Sequence, residues 1–249
     1  MDWTSWRRHF EANAERPVPI IEAPPLDPEV AEALARSLAR FQLGESGEGR
    51  IAHEIDQVML PGIDDDYRQA LKRFVREEGR HGAILALMVR ALGGQLLSRT
   101  WTERLFVHSR RLLGVRFKLQ VLLAAEVIGI GFYGMIAGRL PSGPMRSALE
   151  QICSDERHHL RFHADFFRAG AAGPFWRLTW WPIGTAAAAV VLWDHRHTVS
   201  ALGVSRGAAA SELFELVRGT AARLRPSHTP SPDEGPPRTA AAALAARAA

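Results

Sequence analysis

Two short strings carry most of the chemistry this sequence offers: Glu77-Glu78-Gly79-Arg80-His81 and Asp155-Glu156-Arg157-His158-His159. Each contains Glu-x-x-His inside a stretch of helical patterning. Residues three apart on a helix share a face, so each string can present a carboxylate oxygen and an imidazole nitrogen to one cation. One such pair is weak, because a chain this rich in Glu and His holds about one by chance. The arrangement is the stronger signal. Shifting the chain against itself by 78 residues lays Glu78 on Glu156 and His81 on His159. The same shift lays Glu48 on Glu126, Arg68 on Arg146, Leu71 on Leu149 and Arg90-Ala91 on Arg168-Ala169, without a gap.

Each half of the repeat therefore reads as a helical hairpin, with a lone Glu on its first helix and Glu-x-x-His on its second. From Glu48 to the turn near Leu60 the chain climbs roughly 18 Å, and from Asp65 back to Glu78 it descends roughly 20 Å. Glu126 and Glu156 do the same around Pro141. Four carboxylates and two imidazoles then meet at one level. Burying four carboxylates together demands compensating positive charge, and a pair of divalent or trivalent cations supplies it.

The elements that must position these groups are all helical. Asp27-Pro28-Glu29 is a helix start, with an acid at the N-cap and Pro in the first turn. The pattern runs from there to Leu60, where Pro61-Gly62 stops it. Asp64 caps a second helix, carried by Leu71, Phe74, Val75, Leu85 and Val89 to Gly93-Gly94. A short helix is expected over Thr100–Leu113 and a third long one over Val115–Leu140. The fourth runs from the Pro141-Ser142-Gly143-Pro144 turn to Ala169. No strand pattern occurs. The fold class expected is all-α: a ferritin-like four-helix bundle with additional C-terminal helices. Residues 1–26 form an N-terminal segment, 27–170 the bundle, 171–224 a helical extension, and 225–249 a Pro- and Ala-rich tail expected to be disordered.

With these residues and helices in place, the sequence resembles the ferritin-like di-iron carboxylate superfamily over Asp27 to Ala169. That superfamily's signature is a Glu on each of two helices plus Glu-x-x-His on the other two. The Glu-Glu-x-Arg-His and Asp-Glu-x-x-His strings resemble the oxygen-activating members, such as bacterial multicomponent monooxygenases and amine N-oxygenases. The resemblance implies two iron ions, with manganese or a mixed pair left open. Their ligands would be Glu48 (or Glu45), Glu78, His81, Glu126, Glu156 and His159. It further implies that Asp155 orients His81, that Glu77 orients His159, and that Arg80 pairs with this acid layer. The implied reaction is hydroxylation, desaturation or N-oxidation of a small apolar substrate by dioxygen. Electrons would come from a donor such as a ferredoxin or a reductase. A ribonucleotide-reductase radical subunit is disfavoured because Leu85 stands where its Tyr would be.

Several positions stay open at this level. Glu45 and Glu48 lie one turn apart, and the repeat favours Glu48. Asp155 with His158 is a second register that the repeat opposes. His163, one turn beyond His159, is either an extra ligand or a packed histidine. Cys153 reads as a small buried residue, and His53 and His108 as structural. Gly44, Gly47 and Gly49, with Gly129, Gly131 and Gly134, weaken their helices by up to about 1 kcal/mol each. They allow either close helix approach or room for dioxygen and substrate beside Glu126, with Gly129 and Tyr133 at the pocket.

Composition bounds the rest. The chain has 249 residues and a formal charge of +4, and its only lysines are Lys72 and Lys118. The isoelectric point is about 9.9. An Arg bias of this kind does not require nucleic acid as a partner, although it leaves room for a tRNA-modifying hydroxylase. A ferroxidase or iron-handling protein fits the same paired carboxylates, and a helical adaptor without catalysis fits the bundle alone. Cys153 is the single cysteine, which excludes an intrachain disulfide and a cysteine-ligated rubrerythrin-type iron centre. No apolar run near Met1 reads as a signal peptide, and a cytoplasmic location is expected. Phe175–Trp193 is apolar and Trp-rich but interrupted by Pro182 and Gly184. It suits a wall or lid over the pocket, with a peripheral membrane contact and a homodimer interface also open.

Overall fold

The structure is a computed structural model that describes residues 2–45, 49–98, 100, 114–170 and 176–223. Among them it holds nine α-helices, one 3-10 turn and no strand. The helices are α1 (Trp3–Ala14), α2 (Pro28–Glu45), α3 (Gly49–Glu54), α4 (Asp65–Ala91), α5 (Gly114–Ala137), α6 (Pro144–Arg168), α7 (Trp176–Asp194), α8 (Arg196–Ala201) and α9 (Arg206–Arg223).

Local chemistry sets the ends of the long helices. The Asp64 carboxylate accepts from the Tyr67 backbone N–H at 2.9 Å and opens α4. Gly93, at φ +77°, turns the chain away after α4, as a left-handed residue past a helix end does. Pro144 sits in the first turn of α6, where its missing N–H leaves no helical bond unmade.

One expected helix stops short of Leu60. Of the helix expected from residue 28 to Leu60, the described residues show α2 up to Glu45, α3 from Gly49 to Glu54 and a 3-10 turn over Ile55–Gln57, and residues 46–48 lie outside them. Of the short helix expected at Thr100–Leu113, only Thr100 lies within the described residues, and it is not helical. The 225–249 tail lies outside them.

The N-terminal segment carries a helix that composition alone did not suggest. Asp2 caps α1 by accepting from the Ser5 N–H, and Trp3 and Phe10 are buried against α4. Trp3 donates its indole N–H to the Gly62 carbonyl at 2.8 Å, and Trp6 donates to Asp165 at 2.9 Å.

Helix α2 packs on α4 and α5 on α6, and α4 and α6 meet each other. The apolar interior falls into two clusters. One gathers Tyr67, Phe74, Leu122, Phe162 and Phe166 with Trp3 and Phe10. The other gathers Leu38, Leu85, Met88, Ile136 and Leu149. Residues 77–81 of α4, 126 of α5 and 155–159 of α6 fall between the two. Apolar packing on both sides thus isolates a single polar layer from water.

The C-terminal helices share this interior. Trp180 on α7 is buried and donates its indole N–H to the Val217 carbonyl of α9 at 3.2 Å. A Cβ on Gly131 of α5 would lie 2.5 Å from Leu213 of α9, so that glycine is what lets the two helices close. On the other side, the buried Ser37 of α2 bonds to Thr198 at 2.6 Å and to His195 at 2.7 Å. Helix α5 has the length and hydropathy of a membrane-crossing helix, yet most of it is buried inside the protein.

Candidate metal centre

Glu78 and His81 face inward from α4, and Glu156 and His159 face inward from α6. All four are essentially inaccessible to solvent. One ligand-type atom from each lies within 4.8 Å of all the others. His159 Nδ1 is 2.7 Å from Glu78 Oε1 and 3.0 Å from Glu156 Oε2. His81 Nδ1 is 3.1 Å from Glu156 Oε1 and 4.0 Å from Glu78 Oε2.

Distance alone would suggest hydrogen bonds, but alignment does not follow everywhere. Glu78 Oε1 and His81 Nδ1 are buried without a hydrogen-bond partner. These atoms converge on a common volume rather than on one another. A buried polar atom left unpaired costs about 1–3 kcal/mol, and native proteins carry few of them. A cation in that volume satisfies them together. The donor set of carboxylate oxygens and imidazole nitrogens suits iron, manganese or zinc.

Each ring is held from behind. His81 Nε2 lies 3.2 Å from Asp155 Oδ2, and His159 Nε2 lies 3.3 Å from Glu77 Oε2. A carboxylate on Nε2 fixes the N–H there and leaves Nδ1 as the free lone pair. The pairing is crosswise, since each acid steadies the histidine of the opposite helix.

A residue that sequence reasoning missed closes this layer. Arg16, just after α1, donates from Nη2 to Glu77 Oε1 at 2.7 Å and to Asp155 Oδ1 at 2.8 Å. Gln151 adds a bond to Asp155 at 2.9 Å. Arg80 Nη1 is farther from Asp155, at 3.7 Å, and Arg80 also donates to the carbonyls of Arg16 and Pro17. Glu77, His81 and Asp155 also form a metal-compatible trio, but the Arg16 guanidinium already supplies positive charge there. Burial opposes the charged form of Asp155, yet His81 and Arg16 hold its pKa down at about 2.

Glu126 of α5 reaches the same layer, with Oε2 3.7 Å from His159 Nδ1. Glu45, the last residue of α2, arrives from the other pair. Tyr133 donates its hydroxyl to Glu45 Oε1 at 2.7 Å. Glu45 is half-buried, and its carboxyl is directed toward the acids of the centre. Burial, then the charges of Glu78, Glu156 and Glu126, raise its pKa well above the usual carboxylate range. Glu48, which the repeat favours for this role, lies outside the described residues.

Without a cation, protons balance the charge. Burial followed by Glu156 and Glu78 raises the Glu126 pKa. Burial works against a charged His81, but Asp155, Glu156 and Glu78 raise it to about 9. His159 is raised in the same way, chiefly by Glu78 and Glu156 against its burial.

The remaining expected residues fall around this core. His163 is fully buried with Nε2 3.9 Å from Glu126 Oε1, and neither ring nitrogen has a hydrogen bond. Burial and the charge of His159 push its pKa down to about 3, so it is neutral. His158 points elsewhere, with Nδ1 bonded to the Ser154 carbonyl at 3.0 Å and its ring 4.5 Å from His9. Burial pushes the Cys153 thiol up to about 12. His53 is exposed, and His108 lies outside the described residues. A Cβ on Gly129 would touch the Tyr133 ring at 3.4 Å, so on that side the aromatic ring fills the space. Gly134 faces open solvent.

Comparison with known protein families, with characterised proteins and with solved structures returns no match. The chemistry of this chain therefore rests on the centre itself: a buried cluster of carboxylates and histidines, built on an all-helical scaffold, with the ligand geometry of a metal site.

Proposed function

We propose that this chain is a di-iron carboxylate protein of the ferritin-like type, using dioxygen to oxidise a small organic substrate. The observation that carries the reading is the convergence of Glu78, His81, Glu156 and His159 with two buried atoms left unpaired. Glu78 and Glu156 each lie between the two imidazoles, and these four side chains would hold the metal. Glu45 and Glu126 bring one further carboxylate each. When bound, two reduced iron ions supply the electrons and open coordination positions that dioxygen reduction requires.

The protein residues do the rest. Asp155 and Glu77 hold the Nε2 protons, which keeps both Nδ1 lone pairs aimed inward. Tyr133 donates a hydrogen bond to Glu45 and fixes the orientation of that carboxyl. The phenylalanine-rich cluster on one side and the aliphatic cluster on the other exclude water. His163 stands neutral beside Glu126, and burial together with the charge of His159 keeps it from adding charge to the layer. An electron donor such as a ferredoxin or reductase belongs to the proposal.

The test is metal content followed by an oxygen reaction. After anaerobic loading, about two irons per chain are expected. Oxygen should then be consumed in step with loss of the ferrous form, and Glu156→Ala should abolish both. Fewer than one metal per chain, unchanged by Glu156→Ala, overturns the reading. Release of the oxidised iron to solvent after each cycle would redirect it to iron handling.

A further inference from the structure

Helix α7 has a face that no described residue covers. Leu178, Trp181, Pro182, Ala186, Ala189 and Trp193 are all exposed and recur at intervals of one, three or four residues, so they form a single stripe along the helix. Leu178 is 74% exposed, Trp181 47% and Trp193 65%. From Leu178 to Trp193 the stripe runs about 22 Å. The opposite face is spoken for: Trp180 and Ala188 are buried, and a Cβ on Gly184 would lie 2.7 Å from Val217. An exposed apolar stripe of this length marks a contact surface.

The relief and charge of the stripe identify the contact. Its middle is alanine, a shallow surface with nothing to interlock with a protein partner, and protein interfaces draw their energy from anchored side chains in pockets. Its ends carry tryptophan, whose apolar ring and N–H suit the boundary between headgroups and acyl chains. No acidic residue occurs from Trp176 to Trp193. Beside Trp193 opens a polar cavity of about 350 Å³, lined in part by Arg36, Arg40, Arg196 and His197. Arg196 lies 4.7 Å over the Trp193 ring. Asp194 is turned inward against Arg40 at 3.1 Å and Arg36 pairs with Glu32 at 2.5 Å, which leaves Arg196 as the cation beside Trp193.

We infer that α7 docks this protein on an anionic membrane surface. The helix lies in the plane of the interface, with Trp181 and Trp193 among the headgroups and acyl ends. Arg196 meets lipid phosphates. This inference does not depend on the metal centre and stands or falls separately.

The full chain is mixed with vesicles of phosphatidylcholine alone, and with vesicles that also contain phosphatidylglycerol, using brominated acyl chains in both. Co-sedimentation with the anionic vesicles, weakened by salt and accompanied by tryptophan quenching, is expected. The double variant Trp181→Ser, Trp193→Ser should lose about tenfold or more in vesicle affinity. Both sites are exposed, so its thermal melt should match that of the unaltered chain. Ala189→Glu, which keeps both tryptophans, should weaken binding in the same direction. Absence of binding to anionic vesicles overturns the inference. So does equal, salt-independent binding to both lipids. Self-association abolished by the tryptophan variant would assign the stripe to a second copy. Vesicle binding that appears only after residues 225–249 are removed would assign it to the tail.

Discussion

Replacing Arg16 by Ala removes one guanidinium that contacts two nearly buried carboxylates, Glu77 and Asp155, at 2.7 and 2.8 Å. Hydrogen bonds to charged groups contribute about 1.5–3 kcal/mol each. Two reductions apply. The Arg16 side chain keeps 29% of its exposure, so water screens part of the interaction. Glu77 and Asp155 also retain His159, His81 and Gln151. A net loss of about 2 kcal/mol follows, which for a chain of this size lowers Tm by about 4–8 °C. The pH dependence has a defined sign. Asp155 is held at about 2 in the fold, below its ordinary 3.8, so its stabilisation is present above that ordinary value and fades as pH falls toward 2. The gap between Arg16→Ala and the unaltered protein should narrow over that window. Thermal melts of Arg16→Ala, Glu77→Gln and the double variant give the coupling directly. If Arg16→Ala costs less than about 0.5 kcal/mol, Arg16 is an ordinary surface partner, and its role as the keystone of the acid layer is refuted.

Loading the centre with metal should release protons, because burial and neighbouring carboxylates raise Glu45 and Glu126 above their ordinary range. An indicator dye in weak buffer reads the release, and a silent dye despite stoichiometric metal uptake would count against the protonated resting layer. Gly131→Ala should destabilise by about 1 kcal/mol, since the new methyl presses on Leu213 and Leu216. Gly134→Ala meets nothing and should stabilise by about 0.5–1 kcal/mol. Equal denaturation midpoints for the two would refute the close packing of α5 on α9. His195, bonded to Ser37, is held down to about 3 by burial and Arg40. The unfolded chain therefore binds a proton below about 6.5 that the folded one refuses, and stability falls as pH drops toward 3. Between pH 7 and 5 this histidine alone should account for about 2 kcal/mol of that fall. His195→Gln should remove it, as read by denaturant melts at the two pH values.

The parts of this molecule that sequence made legible are those set by local chemistry. Asp64, Gly93 and Pro144 mark helix ends through groups within a few residues, and the 78-residue repeat located both Glu-x-x-His pairs. Helix α1 was legible too, in Trp3, Trp6 and Phe10 at helical spacing behind Asp2, but it was overshadowed by the charges around them. The first-helix ligand was harder. The repeat favours Glu48, which lies outside the described residues, while Glu45 at the end of α2 is the acid that Tyr133 holds beside the centre. Arg16 left no signal at all. Its partners lie 61 and 139 residues away, and only the packing of α1 on α4 brings it to them.

The crosswise contacts, Asp155 to His81 and Glu77 to His159, make the two halves of the chain depend on each other. A lone hairpin possesses a histidine and an acid but cannot bring its own acid behind its own histidine. Two identical hairpins facing each other across a twofold axis complete both contacts at once. The repeat in this chain sets the acid of each half behind the histidine of the other, so neither hairpin completes the support of its own histidine alone. Arg16 stands outside the repeat: the position 78 residues further on is Gly94, and a single arginine ties together the acids of both halves.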